Sequence, residues 1–282
     1  MHELLNTKTG KGISFPQDID ELTPTQYAWY LELALKFISG EISDPDEIKS
    51  RLFVYLTGAK ISWRVQFYPR DTRDAIWADM RTKVNLLDSF FDIYTEDGKE
   101  VYSMHLKCTK NLLPHYRYLT GPSDLLFDTT WGTFKQCLNA LKLLQTAGTE
   151  KNAVEADKYS RDIFFALYRH SSGSMPAYVH EYAIFHAINW FSYWYEIITT
   201  TPININGEEV DFSLLWKETP GGGKTNDLDK SGWLGITYNI AESGVFGTSE
   251  EVDQQKTYKV LMYLYKLKAA EIFEIQNTPQ TP

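Results

Sequence analysis

The sequence predicts an α+β fold in which helices predominate and two small antiparallel β-hairpins are inserted. Three observations predict it. Capped helix starts recur along the chain, each followed by an apolar stripe at helical spacing. At two places the period switches from 3.6 to 2 around a turn dipeptide, Asp97-Gly98 and Asn206-Gly207. The 282 residues are 43% hydrophobic and 15% aromatic, enough to fill a sizeable core with large rings. The expectation is a single mainly helical domain over 1–282, divisible into a core (1–200) and a hairpin with C-terminal helices (201–282).

The first helix begins in "LTPTQYAWYLELALKFISG". Thr23 is placed as N-cap, Pro24 as first helical residue and Gln26 as partner in a capping box, with Leu22 and Tyr27 as a hydrophobic staple. Tyr27, Tyr30, Leu31, Ala34, Phe37 and Ile38 form its stripe and Gly40 stops it. "SDPDEIKSRLFVYLTG" repeats the grammar: Asp44 caps, Pro45 starts, Glu47 closes a box and Gly58 ends, which predicts an antiparallel helix pair. "ISWRVQFYPR" reads as a short strand and residues 72 to 88 as a third helix.

The first hairpin spans residues 90 to 106, and "NLLPHYRYLTGP" reads as an irregular third strand beside it. In "TWGTFKQCLNALKLLQTAG" Thr130 caps a helix whose Trp131, Phe134, Leu138, Leu141 and Leu144 face inward. Helices near 152 to 169 and 178 to 199 follow, separated by "HSSGSMP". The second hairpin, residues 202 to 215, alternates Ile203 and Ile205, turns, and alternates Val210 and Phe212. Both turns require positive φ at their glycines. The tail holds a short helix, a Gly-rich break, a short turn capped by Thr248 and Glu251, and a long helix.

"KETPGGGKTNDLDKSGW", residues 217 to 233, looks like a phosphate-binding loop, because Gly223, Lys224 and Thr225 match the end of that motif. The first glycine position, however, holds Glu218, whose carboxylate repels a triphosphate. No helix N-terminus follows to receive phosphate. The stretch therefore reads as a joining loop and not as a nucleotide site.

In "HEYAIFH", His180 and His186 are six residues apart and point about 120° apart around a helix, so they share no metal from that helix. One packed and one partly exposed histidine is the expectation. His105, Cys108 and His115 meet at a metal only if the strands pair favourably. Ser174 and Ser243 lie in no nucleophile elbow, and acids such as Asp92 and Glu96 read as solvated faces. Cys108 and Cys137 read as reduced, half-buried thiols. No catalytic residue, cofactor site or metal site is assigned.

The balance of 28 basic and 37 acidic residues gives a net charge of −9, which disfavours nucleic acid as a partner. The start has no signal-peptide pattern, and the most apolar run, "YAIFHAINWFSYWYEIITT", is interrupted by His186, Asn189 and Glu196. It reads as a core helix of a cytoplasmic protein with no membrane partner. Within it Phe185, Trp190 and Trp194 fall broadly on one side, while Tyr182, Tyr193 and Tyr195 complete an aromatic cluster fit for a core or a partner surface.

The C-terminal helix pair leaves a similar choice open. Trp233, Tyr238, Phe246, Tyr258, Leu261, Tyr265 and Leu267 spread apolar groups more widely than one buried stripe of about 100° requires. Either some of them face a partner or the helix is deeply buried.

Three stretches carry a resemblance: "PQDIDELTPTQYAWYLELAL", "YLTGPSDLLFDTTWGTFKQCLNALKLL" with "IFFALYR", and "GWLGITYNIAESGVFGTSEEVDQQKTYKVLMYLYKLK". They resemble tail-region, tail-assembly chaperone-like proteins of phages and prophages of gut-type Bacteroidota. The resemblance implies a non-enzymatic protein that binds a tail tube or tape-measure protein as an assembly chaperone or a minor virion component. It places the protein in the host cytoplasm or in the virion, and brings no catalytic residues. The competing class is an enzyme or small-ligand-binding module with an unfamiliar site.

Overall fold

A computed structural model describes residues 1–5, 12–59, 67–169, 176–205, 207–216 and 232–277, and the structural statements below concern these residues. The fold is α+β and mainly helical, with nine α-helices and four two-stranded antiparallel sheets among the described residues. Two compact units divide the chain: Met1–Leu113 with His180–His186, and Pro114–Val179 with Ala187–Pro282. This division does not follow the expected boundary after residue 200. One continuous helix contributes its first residues to one unit and the remainder to the other, and helical periodicity does not reveal such a change of core.

The first unit opens with a hairpin that the sequence pattern does not announce. Strand β1 (His2–Leu5) pairs with β2 (Gly12–Phe15), His2 lying opposite Phe15. Helix α1 (Pro24–Ile38) follows, with the expected capping box: the Gln26 backbone N–H donates to Thr23 Oγ1 (3.3 Å) and the Thr23 N–H to Gln26 Oε1 (3.0 Å). Such a cap contributes about 1 kcal/mol. Leu22, Tyr27, Tyr30, Leu31 and Ala34 are buried as expected. Ile38 is instead 61% exposed, because the stripe outlasts the core at the last helical residue, and Leu33 is buried in addition.

Helix α2 (Pro45–Thr57) is capped by Asp44, which accepts from the Asp46 N–H, and it ends at Gly58 with φ 64°. The expected box with Glu47 does not form. The Glu47 carboxylate instead takes Arg51 one turn on, with Nη2 at 2.6 Å, an i,i+4 pairing that competes for the same oxygens. Trp29 and Tyr55 stack at 4.1 Å between α1 and α2.

Helix α3 (Arg70–Val84) starts and stops earlier than expected, and residues Asn85–Phe90 tighten into a 3₁₀ turn. Its only buried residue is Val84. Most of the strand predicted in "ISWRVQFYPR" lies outside the described residues. Strands β3 (Phe91–Glu96) and β4 (Lys99–Met104) form the first expected hairpin, with positive φ at Asp97 (51°) and Gly98 (75°). Lys49 is buried beside it: its Nζ lies 2.6 Å from Asp88 Oδ1 and 5.3 and 5.0 Å from the ring centres of Phe91 and Tyr102.

In the second unit, β5 (His115–Tyr116) and β6 (Leu119–Thr120) form a two-residue ladder of their own, not a third strand on the first hairpin. Helix α4 (Trp131–Thr149), capped by Thr130, packs along α5 (Ala153–Leu167). Trp131, Phe134 and Leu138 are buried, whereas Leu141 and Leu144 are only half-buried because Cys137 and Ala140 take the inward positions. Helix α6 (Glu181–Thr200) reaches His186 in the first unit and continues in the second, where Phe191 and Tyr195 pack against Phe134. Trp190 and Trp194 are buried as the aromatic pattern suggested, and Phe185 is half-buried.

Strands β7 (Ile203–Ile205) and β8 (Glu208–Val210) form the second expected hairpin, with Gly207 at φ 93° and Ile203, Val210 and Phe212 inward. Helices α7 (Gly232–Glu242), α8 (Ser249–Gln254) and α9 (Thr257–Asn277) complete the unit. The Thr248–Glu251 box caps α8 as predicted, and Gly247, at φ 86°, lies where a Cβ would strike the Glu251 carboxylate.

Candidate functional site

The seven C-terminal residues fall into two groups, those packed into the second unit and those left exposed. Thr237 Oγ1, on α7, accepts from Trp131 Nε1 (3.1 Å) and from Lys135 Nζ (2.8 Å) and donates to the Trp233 carbonyl (2.9 Å). Lys135 also pairs with Asp253 Oδ1 at 2.7 Å. Trp233 is half-buried, edge-on to Trp131 at 5.5 Å. One face of α7 is thereby fixed to α4 and α8.

The start of α9 is fixed as firmly. Thr257 donates both its N–H and its hydroxyl to the Thr129 carbonyl, and Tyr258 donates its hydroxyl to the Leu125 carbonyl at 2.7 Å. Burial raises the Tyr258 phenol well above its ordinary pKa. Tyr258 and Leu261 are thus core residues, not surface contacts, because the 3₁₀ turn at Phe212–Leu215 and the Leu125–Thr129 segment pack against the start of α9. Tyr265 is half-buried edge-on to Phe212, and Phe246 is half-buried against Tyr263 with Lys259 Nζ 5.2 Å from its ring centre.

Tyr238 and Leu267 remain, 52% and 51% exposed. Periodicity did not single out Leu234 and Val245, yet both are exposed. Leu234 and Tyr238 stand four residues apart, one above the other on the outer face of α7. The outer face therefore carries large apolar side chains while its inner face is hydrogen-bonded into the core.

A second polar cluster lies inside the first unit, assembled from residues far apart in sequence. Asn111 Oδ1 accepts from the Leu113 N–H (2.8 Å), which identifies it as the oxygen, so His186 Nε2 at 3.1 Å is a donor. His186 Nδ1 then accepts from the Tyr27 hydroxyl (3.0 Å), whose oxygen lies 3.6 Å from Cys108 Sγ. Tyr27, Cys108 and His186 are all buried, and burial pushes the imidazole down to about 3. The chemistry that follows is a neutral ring locked in one tautomer, holding α6 to α1.

His180 is exposed, so the pair in "HEYAIFH" divides as its spacing requires. His105 Nδ1 lies 2.9 Å from Asp92 Oδ1. Among the described residues no group of three or more His, Cys, Asp or Glu could hold a metal. Cys108 and Cys137 are both buried thiols, and burial pushes the Cys137 thiol up to about 12. The glycine-rich loop, 217–231, lies outside the described residues. No described helix is long and apolar enough to cross a membrane. Comparison of the chain with protein-family models, with curated proteins and with solved structures finds no match.

Proposed function

We propose that the protein acts by binding another protein, as an assembly chaperone or minor component in building a phage or prophage tail, and turns over no substrate. The observation that carries this reading is the outer face of α7, where Leu234 and Tyr238 stand exposed on a helix whose inner face is fixed by Thr237. Exposed Leu and Tyr on a rigid helix bring apolar area to a partner at little ordering cost. The resemblance to tail-region proteins names the partner as a tail tube or tape-measure protein and the setting as the host cytoplasm or virion. The net charge of −9 supports a protein partner over nucleic acid.

Co-expression with each candidate tail protein followed by pull-down tests the proposal. Wild-type protein should retain one of them. Leu234→Glu with Tyr238→Glu should lose it without loss of folded signal, because both side chains are exposed. Retention of neither tail protein, or an unchanged pull-down by the double variant, overturns the reading.

A small-ligand-binding module is the second reading, favoured by a cleft of about 610 Å³ whose lining includes Thr130, Thr133, Gln136, Asp162 and Arg169. Native mass spectrometry of the purified protein distinguishes the two. A stoichiometric small molecule or metal would replace the first reading with the second.

A further inference from the structure

Helix α3 is the least covered long helix of the first unit, and what it exposes has a definite chemistry. Trp77, Met80, Arg81 and Val84 follow the spacing i, i+3, i+4, i+7 and so form one stripe along its face. The stripe descends from Trp77, 44% exposed, through half-buried Met80 to buried Val84. Facing it are Asp44, Asp46, Glu47 and Ser50 at the start of α2, and together they line a groove of about 460 Å³. Seven residues of helix give the stripe a length of ~10 Å, room for two turns of another helix.

One wall of the groove thus carries indole, thioether and aliphatic carbon beside the Arg81 side chain, and the other is mainly carboxylate. Glu47 is engaged by Arg51. Asp44 spends Oδ1 on the helix cap, and among the described residues neither Asp44 nor Asp46 has an ion-pair partner. With Glu47 offset by Arg51, Asp44 and Asp46 against the guanidinium of Arg81 still leave the lining negative. Nucleic acid and anionic lipid are repelled by such a rim. A long cationic side chain fits both walls at once, its methylene stem along the apolar one and its head at the acidic one.

We propose that the groove between α2 and α3 binds a cationic amphipathic helical segment of another protein, with a lysine or arginine stem along Trp77 and Met80 and its charged head at Asp44 and Asp46. This rests on the reading of the protein as a binder but uses a surface separate from α7, so either site can fail while the other stands.

The test uses the full chain and two labelled synthetic helical peptides, one of Leu and Lys in amphipathic order and one with Glu in place of every Lys. Fluorescence anisotropy at ~0.15 M salt should show saturable binding of the Lys peptide and none of the Glu peptide. Asp44→Asn with Asp46→Asn, which keeps a competent cap, should weaken binding about tenfold or more. Trp77→Ala should do the same through lost contact area. A matched control, Glu208→Gln with Glu209→Gln, removes the same charge from the exposed β8 strand and should leave the affinity within about twofold, since long-range attraction is screened. Equal weakening by the control pair, or unchanged affinity in the groove variants, would show only general attraction to an acidic protein and overturn the proposal. So would absence of saturable Lys-peptide binding. Self-association of the chain that Trp77→Ala abolishes, with no peptide binding, would assign the groove to a second copy instead.

Discussion

His186 should make the first unit sensitive to acid in a window that can be calculated. Its imidazole is buried and neutral, with Nδ1 accepting from Tyr27 and Nε2 donating to Asn111. Burial lowers its folded pKa from 6.5 to about 3. The unfolded chain therefore takes up a proton before the folded chain does, and stability falls as pH drops from 6.5 toward 3. One pKa unit corresponds to about 1.4 kcal/mol, so the loss between pH 7 and pH 5 is about 2 kcal/mol, rising to about 4 kcal/mol at pH 3. Native-state hydrogen exchange of α1 amides at pH 7 and pH 5 reads this unit directly, and urea titration gives the global value. His186→Gln, which can still donate and accept but cannot titrate, should be less stable at pH 7. It should lose about 2 kcal/mol less than wild type on going to pH 5, a comparison that cancels every other titrating group. Equal losses in the two proteins would show that the imidazole is not held neutral, and the argument from burial would fail.

Other substitutions separate packing from charge. Lys49→Ala should cost about 3 kcal/mol through its buried stem. Lys49→Met keeps the stem, gives up an ion pair to half-exposed Asp88 and the cation–ring contacts with Phe91 and Tyr102, and should lie about 1 kcal/mol below wild type in urea unfolding; a Met variant as damaged as the Ala variant would show that the charge itself holds the site. Gly247→Ala should cost about 1–2 kcal/mol in thermal unfolding, because φ 86° is strained for alanine and its Cβ displaces the Glu251 carboxylate from the α8 cap. Neither cysteine should react within minutes with a thiol-specific disulfide reagent at pH 8, since both are buried and the Cys137 thiol titrates near 12; prompt reaction of one equivalent would contradict the packing around α4 or α1.

Local chemistry was the part of the structure legible in the sequence. The boxes at Thr23–Gln26 and Thr248–Glu251 and the Asp97-Gly98 turn depend on residues within one turn of one another, and all form. Glu47 shows the limit of that locality: Arg51 is as near as the backbone it was expected to cap, and the ion pair wins. The hairpin at His2–Phe15 escaped because its strands are short and, apart from Phe15, mostly exposed, leaving little alternation to read.

Tertiary relations were not legible. Tyr258 and Leu261 share a broad apolar spread with Tyr238 and Leu267, and periodicity is the same whether a partner or the protein's own Phe212 turn does the covering. The Tyr27, Cys108, Asn111 and His186 cluster had no signal at all, because no spacing links its members. The α2–α3 groove was equally silent, since its acidic wall looks in sequence like an ordinary favourable start to a helix.

The place of His186 in the chain has a consequence for synthesis. The first unit is otherwise complete at Leu113, but the imidazole that joins α6 to α1 belongs to a residue made roughly 70 positions later. At ~5–20 residues per second, that is several seconds during which the emerging chain holds α1 and the Cys108–Asn111 segment before the ring can close the cluster. Most of what is translated in that interval, Pro114–Val179 with α4 and α5, belongs to the second unit. A ribosome stalled before residue 186 should therefore carry a first unit that opens readily to protease, and further synthesis that brings His186 out of the ribosome should close it.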